Sequence, residues 1–207
     1  MFRLTSACSI GFALMLLFIP ASLYAQGTLV IRTNYYRVAG STPREIQRSL
    51  DQSRPRMGQH DGQTTWQITW QFNTANQDGN CRLTSFTTRT TITLTMPLWA
   101  MPTNTAPDVF KAWRDYCLAL SEHEQGHVQL AKEAAAAIQQ RAQTFTPRSD
   151  CSALKNEVNS VCRSIVETHR QQEKDYDERT RHGASQGAVL NFEREPQYKM
   201  TPRRRLE

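Results

Sequence analysis

The heptapeptide SEHEQGH, residues 121–127, decides the fold, because it places two histidines one turn apart within a long helical pattern. On an α-helix, residues four apart lie about 40° apart around the axis. His123 and His127 therefore point two imidazoles at one ion, and Glu124 lies on the same side of the helix. Two histidine ligands beside a glutamate that does not bind the metal are the parts of a zinc peptidase motif. The sequence predicts Zn²⁺ bound by both histidines, with Glu124 as general base.

The residues around the motif indicate that it faces the core. Gly126 lies in mid-helix, where glycine costs about 1 kcal/mol relative to alanine, so we expect another group to approach closely there. The competing interpretation is a histidine pair that is solvated or satisfied within the core. Six apolar residues keep helical spacing with the motif: Trp113, Cys117, Leu120, Leu130, Ala134 and Ile138.

The first 25 residues have the composition of a secretory signal peptide. An apolar run from Ile10 to Ile19 is followed by Pro20 and a small-residue stretch that ends at Ala25. The run is short for a membrane span. We therefore expect cleavage after Ala25, export to the periplasm or the exterior of a Gram-negative-type cell, and no stable membrane span afterwards. An uncleaved membrane anchor is the alternative.

The 207 residues suffice for one domain with a sizeable core, and they contain no internal repeat. We predict a single zinc-peptidase-like domain over residues 26–191 and a flexible basic tail over residues 192–207. The net charge is +6, but the basic residues are scattered and carry no nucleic-acid motif, so no nucleic-acid partner is expected. The oligomeric state is left open.

Alternating apolar residues predict a β-hairpin. Strands are expected at residues 66–72 and 81–96, joined by a turn that contains Asp78-Gly79. A change of parity within residues 83–86 predicts a bulge. Residues 28–38, rich in β-branched and aromatic side chains, predict a further strand.

Three helices complete the pattern. Residues 42–45 form a capping box that opens a short helix ending near Asp51. The motif helix runs from about residue 105 to about Gln143, and a second long helix follows the polar break at residues 144–150. The two long helices should pack as an antiparallel hairpin. The predicted fold is α+β: a small antiparallel sheet with one short helix, packed on the helical hairpin in a zincin-like arrangement.

A catalytic zinc site needs a third protein ligand. Glu133 lies at the spacing where another peptidase class has its third ligand. That class requires a glycine turn, and Leu130 replaces the glycine here. The helix therefore continues, and Glu133 points away from His123. If both long helices are straight, Glu167 and His169 lie level with the motif and become candidates. His60, in a polar loop, is interpreted as a solvated histidine.

The segment YDERTRHGASQG, residues 176–187, resembles, together with the motif, a bacterial family. That family is catalogued as a domain of unknown function and described as predicted secreted zinc-dependent proteases. The resemblance extends from about Leu29 to about Leu190. It also rests on Trp66, Trp70, Cys81, Pro97, Leu98, Trp99, Trp113 and Cys151.

The resemblance implies a set of site residues. His123 and His127 are implied as metal ligands, Glu124 as base and His182 as the natural third ligand. Glycines at positions 183 and 187 permit the chain to turn back over the site, which favours His182 over the candidates on the second helix. Tyr176 is a candidate for stabilising the oxyanion.

Four cysteines remain after the leader: Cys81, Cys117, Cys151 and Cys162. An even number in an exported chain suggests two disulfides, with three possible connectivities. On one continuous helix Cys151 and Cys162 would be about 16 Å apart along the axis, too far to bridge. The resemblance implies a bridge between Cys81 and Cys151, and Cys117 and Cys162 lie outside the family pattern.

The leading hypothesis is a periplasmic or secreted zinc metallopeptidase that hydrolyses a peptide or protein substrate, with Glu124 as general base. One alternative is a non-catalytic envelope-binding module with a relic zinc site, although such a site has no need of the general base that Glu124 provides. Another is a zinc amidase that acts on cell-wall peptides. Nothing in the sequence selects the substrate.

Overall fold

Three strands and three helices form the part of the chain that the computed structural model describes, residues 26–54 and 60–190. The predicted signal peptide and basic tail lie outside the described residues. The predicted α+β class is confirmed. The elements are β1 (Gln26–Val38), α1 (Pro43–Ser53), β2 (Gln63–Gln77), β3 (Asn80–Trp99), α2 (Pro107–Ala142), α3 (Cys151–Thr180) and a 3₁₀ turn at Ala184–Gln186.

The predicted hairpin is the centre of the sheet. β2 and β3 pair antiparallel, and the two residues between them, Asp78 and Gly79, have φ angles of 53° and 75°. Two left-handed residues match the twist of a two-residue hairpin. The pairing skips Thr84 on β3, which confirms the bulge predicted within residues 83–86.

The sheet is mixed, which corrects the prediction of an antiparallel sheet. The strand order is β1-β3-β2, and β1 pairs parallel with β3. Val38 at the end of β1 lies opposite Trp99, and Gln63 at the start of β2 lies opposite Thr95. β1 therefore ends at the same end of the sheet where β2 begins. The connection from β1 to β2 through α1 therefore crosses the end of β3. As a result, β1 and β2 lie at the two edges of the sheet and β3 lies between them.

Helix α1 packs at this end of the sheet. The predicted capping box forms: the Glu45 N–H donates to Thr42 Oγ1 over 3.4 Å, and the Thr42 N–H donates to the Glu45 carboxylate over 3.2 Å. Ile46 and Leu50 are fully buried on the other side of the helix. They pack in a cluster with the end of β1, Trp99 and the first half of α2.

α2 and α3 form the predicted antiparallel hairpin. Arg141, near the end of α2, lies 3.9 Å from Glu157, near the start of α3. His127, in the middle of α2, is level with Asp177 near the end of α3. The second half of α2 and the first half of α3 cover the sheet and form the larger core cluster with it. Within the described ranges, no helix is long and apolar enough to cross a bilayer.

One disulfide joins the sheet to the hairpin. Cys81 at the start of β3 bonds to Cys151, the first residue of α3, with 5.0 Å between their Cα atoms, which confirms the implied pairing. Cys117 and Cys162 are free thiols, so the suggestion of two disulfides is wrong. They pack against different core clusters, which keeps them apart. Burial raises the pKa of Cys117 to about 12 and that of Cys162 to about 11, so both thiols stay protonated at neutral pH.

Removing the bridge should destabilise the domain. The bond closes a loop with a sequence separation of 70 residues. For such a loop, the double variant Cys81→Ala/Cys151→Ala is expected to lower the free energy of unfolding by about 2–5 kcal/mol. Urea denaturation followed by circular dichroism measures the change, and Cys117→Ala is the control for loss of a thiol. Equal stability of the double variant and the native protein would show that the bridge does not constrain the unfolded chain.

Candidate metal centre

The three motif residues lie side by side on the buried face of α2. His123, Glu124 and His127 are 3%, 2% and 7% exposed, respectively. A solvated histidine pair is therefore excluded. Burying a charged group without a partner costs several kcal/mol, and burying a polar group without a partner costs about 2 kcal/mol. These side chains therefore need polar partners. Those partners come from α3, from the start of β2 and from the turn that follows α3.

Asp177 on α3 meets both histidines with one oxygen. Its Oδ1 lies 3.2 Å from His123 Nε2 and 3.0 Å from His127 Nε2. The three atoms all lie within 4.8 Å of one another. Ligand atoms at about 2.0–2.1 Å from a tetrahedral zinc ion are about 3.3 Å apart, so the spacing suits a small cation. These three residues could hold a metal ion.

The carboxylates around His127 favour a positive charge at this site. Burial lowers the pKa of His127, but the hydrogen bond to Asp177 and the nearby Glu173 carboxylate outweigh it and raise the pKa to about 9. Burial likewise raises the pKa of Asp177, but hydrogen bonds with His123 and His127 hold it well below the usual range of a carboxyl. A carboxylate that stabilises an imidazolium in this way also stabilises a divalent cation between the same atoms.

An oxygen atom lies near each of the two remaining ring nitrogens. His123 Nδ1 lies 3.0 Å from Gln186 Oε1 and can donate its hydrogen there, which leaves Nε2 free to bind a metal. His127 Nδ1 is buried without a hydrogen-bond partner, and Glu173 Oε1 lies 3.6 Å from it. Metal-bound histidines in proteins usually have such an oxygen behind them. The donor set therefore fits a metal ion.

Glu124 lies beside this group and is positioned by the start of β2. Thr64 Oγ1 donates to Glu124 Oε2 over 2.6 Å. A Cβ added to Gly62 would lie 2.4 Å from Glu124 Oε1, so the backbone at Gly62 packs directly on the carboxylate. Burial raises the pKa of the Glu124 carboxyl, and the bond from Thr64 partly offsets the shift. A buried carboxylate with a raised pKa has the properties of a general base.

His182 lies at the edge of the centre. Its Nδ1 is 3.5 Å from Asp177 Oδ1, its side chain is 43% exposed, and its ring stacks on that of His60 with 3.7 Å between centroids. It is outside the group of mutually close ligand atoms formed by His123, His127 and Asp177. The assignment of His182 as third ligand stays a prediction.

The chain turns back after α3 in the way the glycines permit. Arg181, His182, Gly183 and Gly187 all have positive φ angles. A Cβ added to Gly183 would lie 3.0 Å from His123 Cγ, and the φ angle of 82° strains any other residue, so glycine is favoured at this position. The turn places the segment 184–186 against the motif helix.

The other candidate ligands do not reach the centre. Glu133 is exposed and accepts a bond from Gln129, Glu167 is exposed, and the His169 ring contacts the carbonyl of Ile165 over 2.8 Å. A symmetric hairpin predicts the wrong residues of α3 beside the motif. Residues 143–150 lead the chain away to the sheet, where Arg148 pairs with Cys81, so α3 starts beyond the end of α2. Glu173 and Asp177 therefore lie level with His127.

A cavity of about 470 Å³ opens onto the centre. Its walls are the segment 60–64, the middle of α2, the end of α3 and the turn after it. His123, Glu124, His127 and Asp177 all line it, as does His60. His60, which the sequence predicts to be a solvated loop histidine, is exposed, and it also lies in the wall of this cavity.

Tyr176 packs against the centre from behind. Its ring stacks on that of His123 with 5.1 Å between centroids, and its hydroxyl donates to the His123 carbonyl over 3.2 Å. A Cβ added to Gly126 would lie 2.3 Å from this hydroxyl oxygen. The close approach predicted at Gly126 is therefore confirmed, and Tyr176 is the group that approaches.

Gly126→Ala should destabilise the protein, although alanine is the better helix former. The added methyl displaces Tyr176, at an expected cost of about 1–3 kcal/mol in the free energy of unfolding. In a Tyr176→Ala background the obstacle is gone, and the same substitution should be neutral or stabilising by up to about 1 kcal/mol. Urea denaturation of the four proteins measures both effects. An equal effect of Gly126→Ala in both backgrounds would contradict the contact.

Comparison with known proteins identifies a family. A family model for bacterial proteins of unknown function (DUF922) matches residues 33–183, more than half of the chain. The matched range contains His123, Glu124, His127 and Asp177. No curated protein and no solved structure matches the chain.

Proposed function

This chain belongs to that family of bacterial proteins of unknown function, and we propose that it is a secreted, zincin-like, zinc-dependent peptidase. In this proposal His123, His127 and Asp177 hold the zinc ion, and Glu124 is the general base. Buried imidazole and carboxylate ligands suit zinc, and three protein ligands leave a position open for catalysis. His182, 3.5 Å from the same Asp177 oxygen, is the alternative third ligand.

The observation that carries the proposal is the position of Glu124. It is 2% exposed, lines the cavity, and is held by Thr64 beside the histidine–aspartate group. A structural metal site gains nothing from a further acidic group that is buried at a cost and does not join the three ligand atoms. A hydrolase needs such a group to move protons. Glu124 therefore favours a catalytic site over a relic site.

The roles of the protein groups follow from their contacts. A bound zinc ion supplies Lewis acidity to the scissile carbonyl. Thr64 engages Glu124 Oε2, so we assign proton transfer to Oε1, which accepts a proton from water and delivers it to the leaving amine. Gln186 orients the ring of His123, and Glu173 lies behind the ring of His127.

A direct test measures metal content and hydrolysis together. The purified protein is expected to contain about one zinc ion per chain and to cleave members of a peptide library that includes cell-wall peptides. A chelator should abolish the cleavage, and zinc should restore it where magnesium does not. Cleavage of cell-wall peptides alone would select the amidase alternative. Zinc bound at full occupancy without any hydrolysis would overturn the peptidase and leave a binding module.

The proposed location is the periplasm or the exterior of the cell. Residues 1–25 have the composition of a signal peptide, and the bond between Cys81 and Cys151 is typical of an oxidising compartment. We expect the exported chain to begin at Gln26 and to contain one disulfide and two thiols. Intact-mass measurement with and without thiol labelling tests both. A full-length chain with four free thiols at positions 81, 117, 151 and 162 would contradict the location.

A further inference from the structure

One wall of the cavity is basic. Arg170, Lys174 and Arg181 all line it. The first two lie one helical turn apart on α3, and Arg181 follows the last residue of that helix, about 10 Å further along the axis than Lys174. All three therefore lie along one side of the opening that leads to Glu124 and the candidate metal centre.

Two of these three cations have no partner within the described part of the chain. Arg170 is engaged: it donates to the Trp66 carbonyl over 2.8 Å and lies over the Trp66 ring at 4.2 Å. Neither the Lys174 ammonium nor the Arg181 guanidinium makes a hydrogen bond or ion pair with any residue in 26–54 or 60–190. They are free to bind a ligand.

The acidic residues of the cavity do not neutralise them. Each of the four acidic side chains in the wall contacts a polar neighbour inside the fold, and the Glu173 carboxylate also lies 3.6 Å from the Arg170 guanidinium. Among the residues that the structure describes, none of the four forms an ion pair with Lys174 or Arg181. The four are Asp61, Glu124, Glu173 and Asp177. With a divalent cation at the centre, the charge offered to a ligand in this cleft is positive.

Arg181 occupies an unusual backbone position for a long side chain. Its φ and ψ angles are 51° and 50°, in the left-handed region where glycine is normally favoured at the end of a helix. An arginine there has a conformational cost, and this exposed residue is part of the cavity wall.

We propose that Lys174 and Arg181 bind a carboxylate of the substrate. The substrates are then peptides that carry an acidic side chain or a free C-terminal carboxylate close to the scissile bond. Arginine binds a carboxylate with two parallel hydrogen bonds, and lysine adds a point charge. This inference deepens the proposed function and rests on it for the reaction, but the binding preference is measurable without turnover.

The test uses the full chain with Glu124→Gln, which prevents hydrolysis during titration. The probes are acetylated and amidated alanine hexapeptides that carry one Glu at each position in turn. Their controls carry Gln at the same position, and one further Gln peptide has a free C-terminal carboxylate. Isothermal titration gives the affinities. The variant pair is Lys174→Gln/Arg181→Gly against the matched control Lys155→Gln/Arg179→Gln, which removes the same charge from exposed positions outside the cavity.

At least one carboxylate peptide is expected to bind about five-fold tighter than its neutral counterpart, a ratio typical of a partly exposed ion pair. The ratio should fall to about one in Lys174→Gln/Arg181→Gly and stay unchanged in the control. Preference for the free C-terminus or for Glu distinguishes the two sources of the carboxylate.

Arg181→Gly relieves the left-handed backbone, so this single variant retains the fold and is measured as well. Absence of any preference, or a preference that survives in both cavity variants, would overturn the inference. Failure of the proposed hydrolysis appears separately, as a native protein that cleaves no peptide.

Discussion

Glu124→Gln is expected to keep zinc bound and to lower the rate of peptide hydrolysis by a factor of about 10²–10⁴. The carboxylate lies beside the histidine–aspartate group but is held by Thr64 and the backbone of Gly62, so its loss leaves the ligand atoms in place. Glutamine keeps the size of the side chain and can still accept the hydrogen bond from Thr64. It cannot accept a proton from water at neutral pH. Metal analysis and rate measurement on the same sample separate the two effects.

Glu122→Gln is the matched control, because Glu122 lies two residues away on the exposed side of the same helix. It should retain both zinc and the native rate. A native rate in Glu124→Gln would remove Glu124 from the mechanism. Loss of zinc in Glu124→Gln would instead make Glu124 a ligand, and the choice of general base would have to change.

Asp177→Ala is expected to weaken zinc binding by more than about 100-fold, which exceeds the usual effect of removing a group that only orients a ligand. The reason is geometric: Asp177 Oδ1 lies 3.0 Å and 3.2 Å from the two histidine Nε2 atoms, and no other carboxylate joins this group within the described residues. His182→Ala is expected to weaken binding by about 10-fold or less, since His182 contacts the group only through Asp177. Competition with a chromophoric chelator measures both affinities.

The control for these variants is Asp175→Ala. Asp175 lies on the same helix and accepts a hydrogen bond from Gln171, so its loss should leave zinc affinity unchanged. The opposite ranking, with native affinity in Asp177→Ala and a large loss in His182→Ala, would confirm His182 as the third ligand. The role assigned to Glu124 would be unaffected by that outcome.

Local patterns in the sequence predicted local features correctly. Alternation and the Asp78-Gly79 turn predicted the hairpin, the parity change predicted the bulge at Thr84, and the capping box predicted the start of α1. Each of these features is determined by residues within a few positions of one another. Spacing within one helix likewise predicted that His123, Glu124 and His127 share a face.

Features set by distant segments were not predictable in this way. The middle position of β3 depends on where the connection through α1 crosses, and no single strand carries that information. The position of α3 along the axis of α2 depends on residues 143–150, which lead the chain to the sheet before α3 begins. A symmetric hairpin therefore suggested that Glu167 and His169, and not Asp177, lie beside the motif. Asp177 was nevertheless visible as the aspartate of the family-like segment, four residues after Glu173 on the same helical face. His60 had no local signal, because its place in the cavity wall depends on the fold of the 60–64 segment.

The bond between Cys81 and Cys151 has a consequence for biogenesis. In a chain exported from its N-terminus, Cys81 enters the oxidising compartment first, Cys117 second and Cys151 only after the whole motif helix. Cys117 is thus the first thiol that Cys81 meets, and the native bond skips it. If the chain is exported in this way, an early Cys81–Cys117 pair must be resolved by thiol–disulfide exchange, in which the Cys151 thiolate attacks the Cys81 sulfur and Cys117 leaves as a thiolate. Early formation of α2 would instead keep Cys117 from pairing with Cys81.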